Sequence, residues 1–92
     1  MAFRFKTSFP EIEYRGEQSG ASERGRWLSL IFEDSECNQL SVSVPKDMQS
    51  DVYALCLRKG DMCAIAVRAV ATADGNSYIQ LLAVPEVLED ED

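Results

Sequence analysis

The stretch from Leu40 to Gly60, LSVSVPKDMQSDVYALCLRKG, changes its hydrophobic period at Pro45. Before Pro45, apolar residues and serines alternate, which is the period of two of a strand with one buried face. After it, apolar residues recur at the spacing of a helix, Asp47 is placed to cap or charge the first turn, and Gly60 provides a stop. We therefore predict a strand followed by one helix of roughly three turns.

Strand patterns lie on both sides of this segment. Phe3 to Phe9 alternates apolar with polar residues until Pro10 ends the run, and an extended stretch at 12–14 continues beyond a kink. We predict further strands at 27–33, 40–44, 62–71 and 78–84, with turns at 34–36 and 74–76 that make two hairpins. The inward side chains of the first hairpin are Leu28, Leu30, Phe32, Leu40, Val42 and Val44.

The predicted order is strand, strand, strand, helix, strand, strand. Five strands with one helix between the third and fourth is the layout of the OB-fold, a small Greek-key barrel. The 92 residues suffice for one domain. We therefore predict an all-β protein with small helical content, an OB-like barrel over 1–85, and a tail at 86–92. This tail holds five acids and no base, so we expect it to be disordered.

The composition argues against several classes of function. The chain has no histidine, and its three cysteines form no CxxC pair, so we expect no catalytic residues, no metal site, no cofactor and no disulfide framework. We also expect no membrane span and no signal peptide, and hence a soluble, cytoplasmic protein. The net charge of −7 opposes nucleic-acid binding, but five of the acids lie in the tail.

The segment from Arg15 to Arg26 contains three glycines and no apolar periodicity, and we interpret it as a flexible loop or an extended hairpin tip. Arg15, Arg24 and Arg26 could reach phosphates from it, while its glycines allow close approach of the backbone. A solvated loop, with Glu17 and Glu23 offsetting the arginines, is the alternative.

One face of the predicted sheet carries residues suited to nucleobases. If the first hairpin buries its apolar side chains, Trp27 and Ser29 face outward, and the same alternation places Arg68 and Tyr78 outward. Aromatic side chains stack on bases in proteins that bind single strands. The alternative is that Trp27 fills a barrel end or a subunit interface and Tyr78 is a cross-strand partner.

Residues 19–30, SGASERGRWLSL, resemble the DNA-binding wing and following strand of the gene V type single-stranded-DNA-binding proteins of filamentous phages. Residues 81–85, LLAVP, are similar to the last strand of that family. The resemblance implies a homodimer that coats single-stranded DNA, with Arg24 and Arg26 on phosphates and Trp27 near a base. Small OB-like replication accessory proteins of mobile elements are similar as well.

The leading hypothesis is a non-enzymatic, homodimeric protein of a phage or mobile element, in the host bacterial cytoplasm, that binds single-stranded DNA without strong sequence preference. The alternative is an acidic protein-interaction module or inhibitor that targets a nucleic-acid-binding partner. The acidic tail could dock on a basic protein or fold back on the basic loop.

Overall fold

A computed structural model describes residues 3–23, 25–71 and 75–88 of the chain, with side chains from Lys6 onward. The elements are β1 (Phe3–Ser22), β2 (Gly25–Glu33), β3 (Gln39–Ser43), α1 (Lys46–Ala54), β4 (Met62–Ala71), β5 (Ser77–Leu81) and β6 (Glu86–Val87). The predicted order of five strands with a helix between the third and fourth is confirmed, and β6 is an additional strand of two residues.

The strands form a closed barrel. Their order in the sheet is β1-β2-β3-β5-β4-β6, and β1 also pairs with β4. The pairing of β3 with β5 is parallel, and the other pairings are antiparallel. The OB-like fold predicted from the order of elements is therefore confirmed.

Strand β1 is long because it passes through two irregularities instead of ending. Pro10 lies in the first, a shift of the β1–β4 register between Phe9 and Ile12. Proline lacks an N–H group, and a bulge is a position in a strand that tolerates this loss. The prediction that Pro10 ends the strand is wrong, whereas the extended stretch predicted beyond a kink is confirmed.

The second irregularity shifts the β1–β2 register between Tyr14 and Gly16. Gly16 has a φ of +147°, a conformation that side chains with a Cβ rarely adopt. Beyond it, β1 pairs with β2 up to Ser22↔Gly25. The segment predicted as a flexible loop or extended hairpin tip is therefore mostly an extended hairpin, here called the hairpin arm (Gly16–Trp27).

The core follows the predicted alternation. Leu28, Leu30 and Phe32 of β2 are buried with Val42 and Val44, and Leu40 packs against this cluster while partly exposed. The other buried residues of the cluster are Ile12, Tyr14, Val52, Cys63, Ile65, Val67 and Leu81. Burial raises the pKa of the Cys63 thiol to about 11, with a smaller contribution from Asp61, so this cysteine is a protonated core residue at neutral pH.

Helix α1 is shorter than predicted. Pro45 is its N-cap and makes no side-chain cap hydrogen bond, so Asp47 supplies charge to the first turn and does not cap the helix. The helix ends at Ala54, and the reversal falls on Cys56, which has a φ of +51°. The prediction that Gly60 stops the helix is wrong, because the left-handed residue that follows a helix is here a cysteine.

The last described residues extend the edge of the sheet beside β4. Glu86 and Val87 pair with Ala64 and Cys63, and the Leu88 N–H donates to the Met62 carbonyl at 2.8 Å. Glu86 and Val87 therefore form a strand, which differs from the disorder expected from residue 86 onward. Residues 89–92 lie outside the described part of the chain. None of the helices found in the described ranges is long and apolar enough to cross a membrane.

The left-handed conformation of Cys56 generates a stability prediction. Cys56→Gly removes the steric cost of placing a Cβ at this φ, so we expect a gain of about 1 kcal/mol in the free energy of unfolding. Ser50→Gly, in the middle of α1, is the control and is expected to lose about 0.5 kcal/mol. Urea unfolding measures both, and destabilisation by Cys56→Gly would contradict the assignment.

Candidate nucleic-acid interface

A row of polar side chains crosses the outward face of the barrel. Cross-strand partners share a face of the sheet. Here five such pairs form a continuous row, because each shares a residue with the next: Lys6↔Arg68, Arg68↔Gln80, Gln80↔Ser43, Ser43↔Ser29 and Ser29↔Gln18. The row therefore crosses β1, β4, β5, β3 and β2 before it returns to the hairpin arm. Ser29 and Arg68, both predicted to face outward, belong to it.

Trp27 lies two residues from this row along β2, over the backbone of Gly20. The two residues are cross-strand partners, and a Cβ on Gly20 would lie 2.8 Å from Cζ2 of the indole. The glycine therefore lets the ring rest on the backbone of the opposite strand. The side chain is 45% exposed and lies outside the core cluster, so it does not fill a barrel end in the single chain.

Tyr78 lies on the other side of the row. It is two residues from Gln80 along β5, pairs with Val70 and is 47% exposed. Since β2 and β5 run in opposite directions, Trp27 and Tyr78 occupy diagonally opposite corners of the face. Strand spacing and rise per residue place their Cα atoms roughly 16 Å apart on an unrolled sheet. Trp27 lies toward the β1–β2 turn and Tyr78 toward the β4–β5 connection.

Arg68 is held in place by its neighbour in the row. Its Nε donates to the Gln80 Oε1 at 2.8 Å, and its Nη2 donates to the same oxygen. The amide partner orients the guanidinium without neutralising its charge. Arg68 therefore remains a cation on the outward face, where a guanidinium can also stack on a base.

The three arginines predicted to contact phosphates have different surroundings. Arg15 Nη1 lies 2.6 Å from Glu13 Oε2, and Arg15 Nε lies 3.8 Å from Glu33 Oε2. The hydrogen bond to Glu13 is the main cause that raises the pKa of Arg15. Arg15 thus bridges two carboxylates on paired strands and is not a free cation.

Arg26 is exposed in the hairpin arm, and its backbone carbonyl accepts a hydrogen bond from Gln49 Nε2 at 3.3 Å. Within the described residues, its guanidinium has no carboxylate within ion-pair distance. Arg24 lies outside the described residues, so its predicted contact with phosphate stays a prediction.

Alternation along the described strands places one carboxylate on the outward side of β2, that of Glu33, which is the last residue of the strand and lies 3.8 Å from Arg15 Nε. The other described side chains on this face of β2, β3 and β5 are Trp27, Ser29, Ile31, Gln39, Ser41, Ser43, Tyr78 and Gln80. Glu33 is six residues from Trp27 along β2, and it lines a groove of ≈ 290 Å³ together with Glu11, Glu13 and Asp34. The described strands therefore carry no carboxylate on the part of the face between Trp27 and Tyr78.

No cluster of three or more His, Cys, Asp or Glu side chains suited to a metal ion occurs in the described ranges. The arrangement offers exposed aromatic rings, hydroxyls, amides and cations, which bind ligands by stacking and hydrogen bonding.

Sequence reasoning missed three contributors to this region, namely Lys6, Gly20 and Tyr53. Lys6 enters the face only through its pairing with Arg68 across the barrel closure. Gly20 could have been found by counting back from the Ser22–Gly25 turn, which sets Gly20 opposite Trp27. Tyr53 lies on α1, 52% exposed, and no motif distinguishes it.

Comparison with known proteins finds one solved structure of similar shape. No family model and no curated protein matches the sequence. The structure of Rim1, a mitochondrial single-stranded DNA-binding protein of S. cerevisiae, superposes with a TM-score of 0.58 over 95% of this chain and 96% of that chain, at 16% sequence identity. At this identity the similarity establishes the fold, and the chain shares an OB-like barrel with Rim1.

Proposed function

We propose that this protein binds single-stranded DNA without strong sequence preference, along the outward face of β2, β3, β5 and β4. The observation that carries the proposal is the pair of exposed aromatics, Trp27 and Tyr78, on a part of the face where the described strands carry no carboxylate. In OB-folds, the face formed by the second and third strands and the loops before the second and fifth strands bind oligonucleotides. Trp27 and Tyr78 each lie close to one of those loops.

The chemistry of the face explains why binding would tolerate any sequence. Every base has a π-face, so stacking on Trp27 and Tyr78 requires no particular base. Ser29 and Gln80 provide hydroxyl and amide groups between the two rings. Phosphates would be neutralised by Lys6 on the face and by Arg26 on the side of the arm next to α1, with Arg24 in the same role. Such contacts make the affinity dependent on salt.

Similarity to known proteins supports the same proposal. Rim1 is a single-stranded DNA-binding protein, and the wing-like stretch 19–30 resembles phage proteins that coat single strands. On the basis of that stretch, we also propose that the protein comes from a phage or mobile element and acts in the bacterial cytoplasm.

A homodimer is part of the proposal. Within the arm, residues 17–21 of β1 pair with β2 and not with β4, so the other edge of this part of the strand faces away from the sheet. Such an edge can pair with a second copy.

The direct test is fluorescence anisotropy of a labelled oligothymidylate of about 16 nucleotides, the upper end of site sizes for one OB-fold. We expect binding that weakens as salt is raised. Trp27→Ala should weaken it by about 1 to 3 kcal/mol through the loss of one stacked base. Arg26→Ala should reduce the slope of log K against log salt by about one unit.

Two matched variants control for non-specific effects. Val84→Ala truncates an apolar side chain that is 37% exposed in the segment after β5, and Lys59→Ala removes an exposed cation beyond the helix. Neither lies on the outward face, so both should bind like the wild type. Absence of binding by the wild type, or equal losses in Val84→Ala and Trp27→Ala, would contradict the proposal.

Gly20→Ala tests the orientation of the indole without removing it. The new methyl group would meet the Trp27 ring at 2.8 Å, closer than side chains approach one another, so the ring must move. We expect a shifted tryptophan emission, weaker binding of the same oligonucleotide and little change in thermal stability. Gly60→Ala is the control for binding: the added Cβ has no heavy atom within 4 Å, and the positive φ of Gly60 should lower the stability of this variant without changing its affinity. Unchanged affinity in Gly20→Ala would show that the ring position over Gly20 is irrelevant to binding.

A second candidate, binding of a basic protein, is favoured by the groove lined by Glu11, Glu13, Glu33 and Asp34. Met62 lines the same groove, and its backbone carbonyl accepts a hydrogen bond from the Leu88 N–H. Residues 89–92, which follow Leu88 in the sequence, are all acidic. The acids of the tail would add to the negative charge that a basic partner meets at this groove.

A further inference from the structure

A groove lies between the hairpin arm and helix α1. Its volume is ≈ 310 Å³, and it is lined by Ser19, Gly20, Ala21, Arg26, Trp27 and Tyr53. That volume is at the lower end of the range for small-molecule sites. The groove, here called the hairpin groove, shares Trp27 with the outward face and has a second aromatic side chain, Tyr53, on the helix. A ligand on the face can therefore continue past Trp27 into it.

The helix presents a distinct set of side chains to the arm. Lys46, Gln49 and Tyr53 are spaced by three, four and seven residues, so they share one face of α1. Gln49 Nε2 donates to the Arg26 carbonyl, and Lys46 Nζ lies 3.1 Å from the position that a Cβ on Gly25 would take. These contacts fix the helix beside the arm and bring Tyr53 to the groove.

Tyr53 has no role in the core. Val52 is the buried residue of α1, and Tyr53 next to it is 52% exposed. A large aromatic ring that is neither packed in the core nor surrounded by acids on its own helix face is suited to stack on a planar ligand.

The charges around the groove favour an anionic ligand. Arg26 is the charged residue of its lining, and Lys46 reaches the arm nearby. Asp47 and Asp51 are spaced by four residues and lie on a different face of α1 from Tyr53. Glu17 does not line the hairpin groove but lines, with Tyr53, a smaller cleft of ≈ 100 Å³. A base on the Tyr53 ring with its phosphate near Arg26 satisfies both the aromatic and the charged parts of the groove.

We propose that the hairpin groove is a further nucleotide subsite, in which Tyr53 stacks on a base of the single strand beyond Trp27 and Arg26 binds its phosphate. The inference rests on the proposed function and extends the path of the strand from the barrel face to the helix. It assigns a binding role to α1.

The test compares Tyr53→Ala, Tyr53→Leu and Tyr53→Phe with the wild type, each titrated with an oligothymidylate of about 16 nucleotides. Tyr53→Ala and Tyr53→Leu should bind at least about fivefold more weakly, because one stacked base is lost. Tyr53→Phe keeps the ring and should stay within about twofold of the wild type. Quenching of Trp27 by poly(dT) reports the number of nucleotides covered per protein, which should fall by about one in Tyr53→Ala.

Thermal unfolding of each variant establishes that the exposed side chain is not needed for folding. If Tyr53→Ala binds like the wild type while Trp27→Ala is weakened, the subsite is overturned and the proposed function stands. If Tyr53→Leu binds like the wild type, stacking at this position is overturned. If the wild type does not bind DNA, the subsite and the proposed function fail together.

Discussion

Strand β1 pairs with β4 along its first half and with β2 along its second, and this double pairing closes the barrel. One strand can serve both partners only if it bends, which it does at the register shifts near Pro10 and Arg15. Closure gives β4 and β2 a common neighbour, and it buries Ile12 and Tyr14 of β1 against Phe32 of β2. The remaining length of β1 continues beyond Gly16 as the hairpin arm.

The arrangement of functional side chains follows from that closure. Because β1 lies beside β4, Lys6 joins Arg68 and Gln80 in the polar row. Because the arm continues the same strand, Gly20 lies opposite Trp27 and leaves room for the indole. The contact between α1 and the arm, through Gln49 and Arg26, then brings Tyr53 to a groove that Trp27 also lines. The face, the arm and the helix thus form one continuous surface.

The sequence predicts the barrel well where one face of a strand is buried, as in Leu28, Leu30 and Phe32, because burial imposes a strict period of two. It fails in the arm, whose two faces are largely exposed and carry glycines and serines, so no alternation marks its strands. The end of the helix was also not predictable, because Cys56 adopts the conformation that glycine usually supplies. Arg15 appeared to be a free cation because Glu33 is 18 positions away in sequence and only strand pairing brings it near.

Binding of DNA along the outward face can be observed residue by residue through the amide signals of the ¹⁵N-labelled protein. An oligothymidylate of about 16 nucleotides is titrated into the protein at low salt. We expect the amide shifts of Trp27, Ser29, Ser43, Tyr78 and Gln80 to change, and those of the Asp34–Asn38 turn to stay in place. Shifts confined to the acidic groove around Glu11 and Asp34, or no shifts at all, would contradict binding of DNA to the outward face.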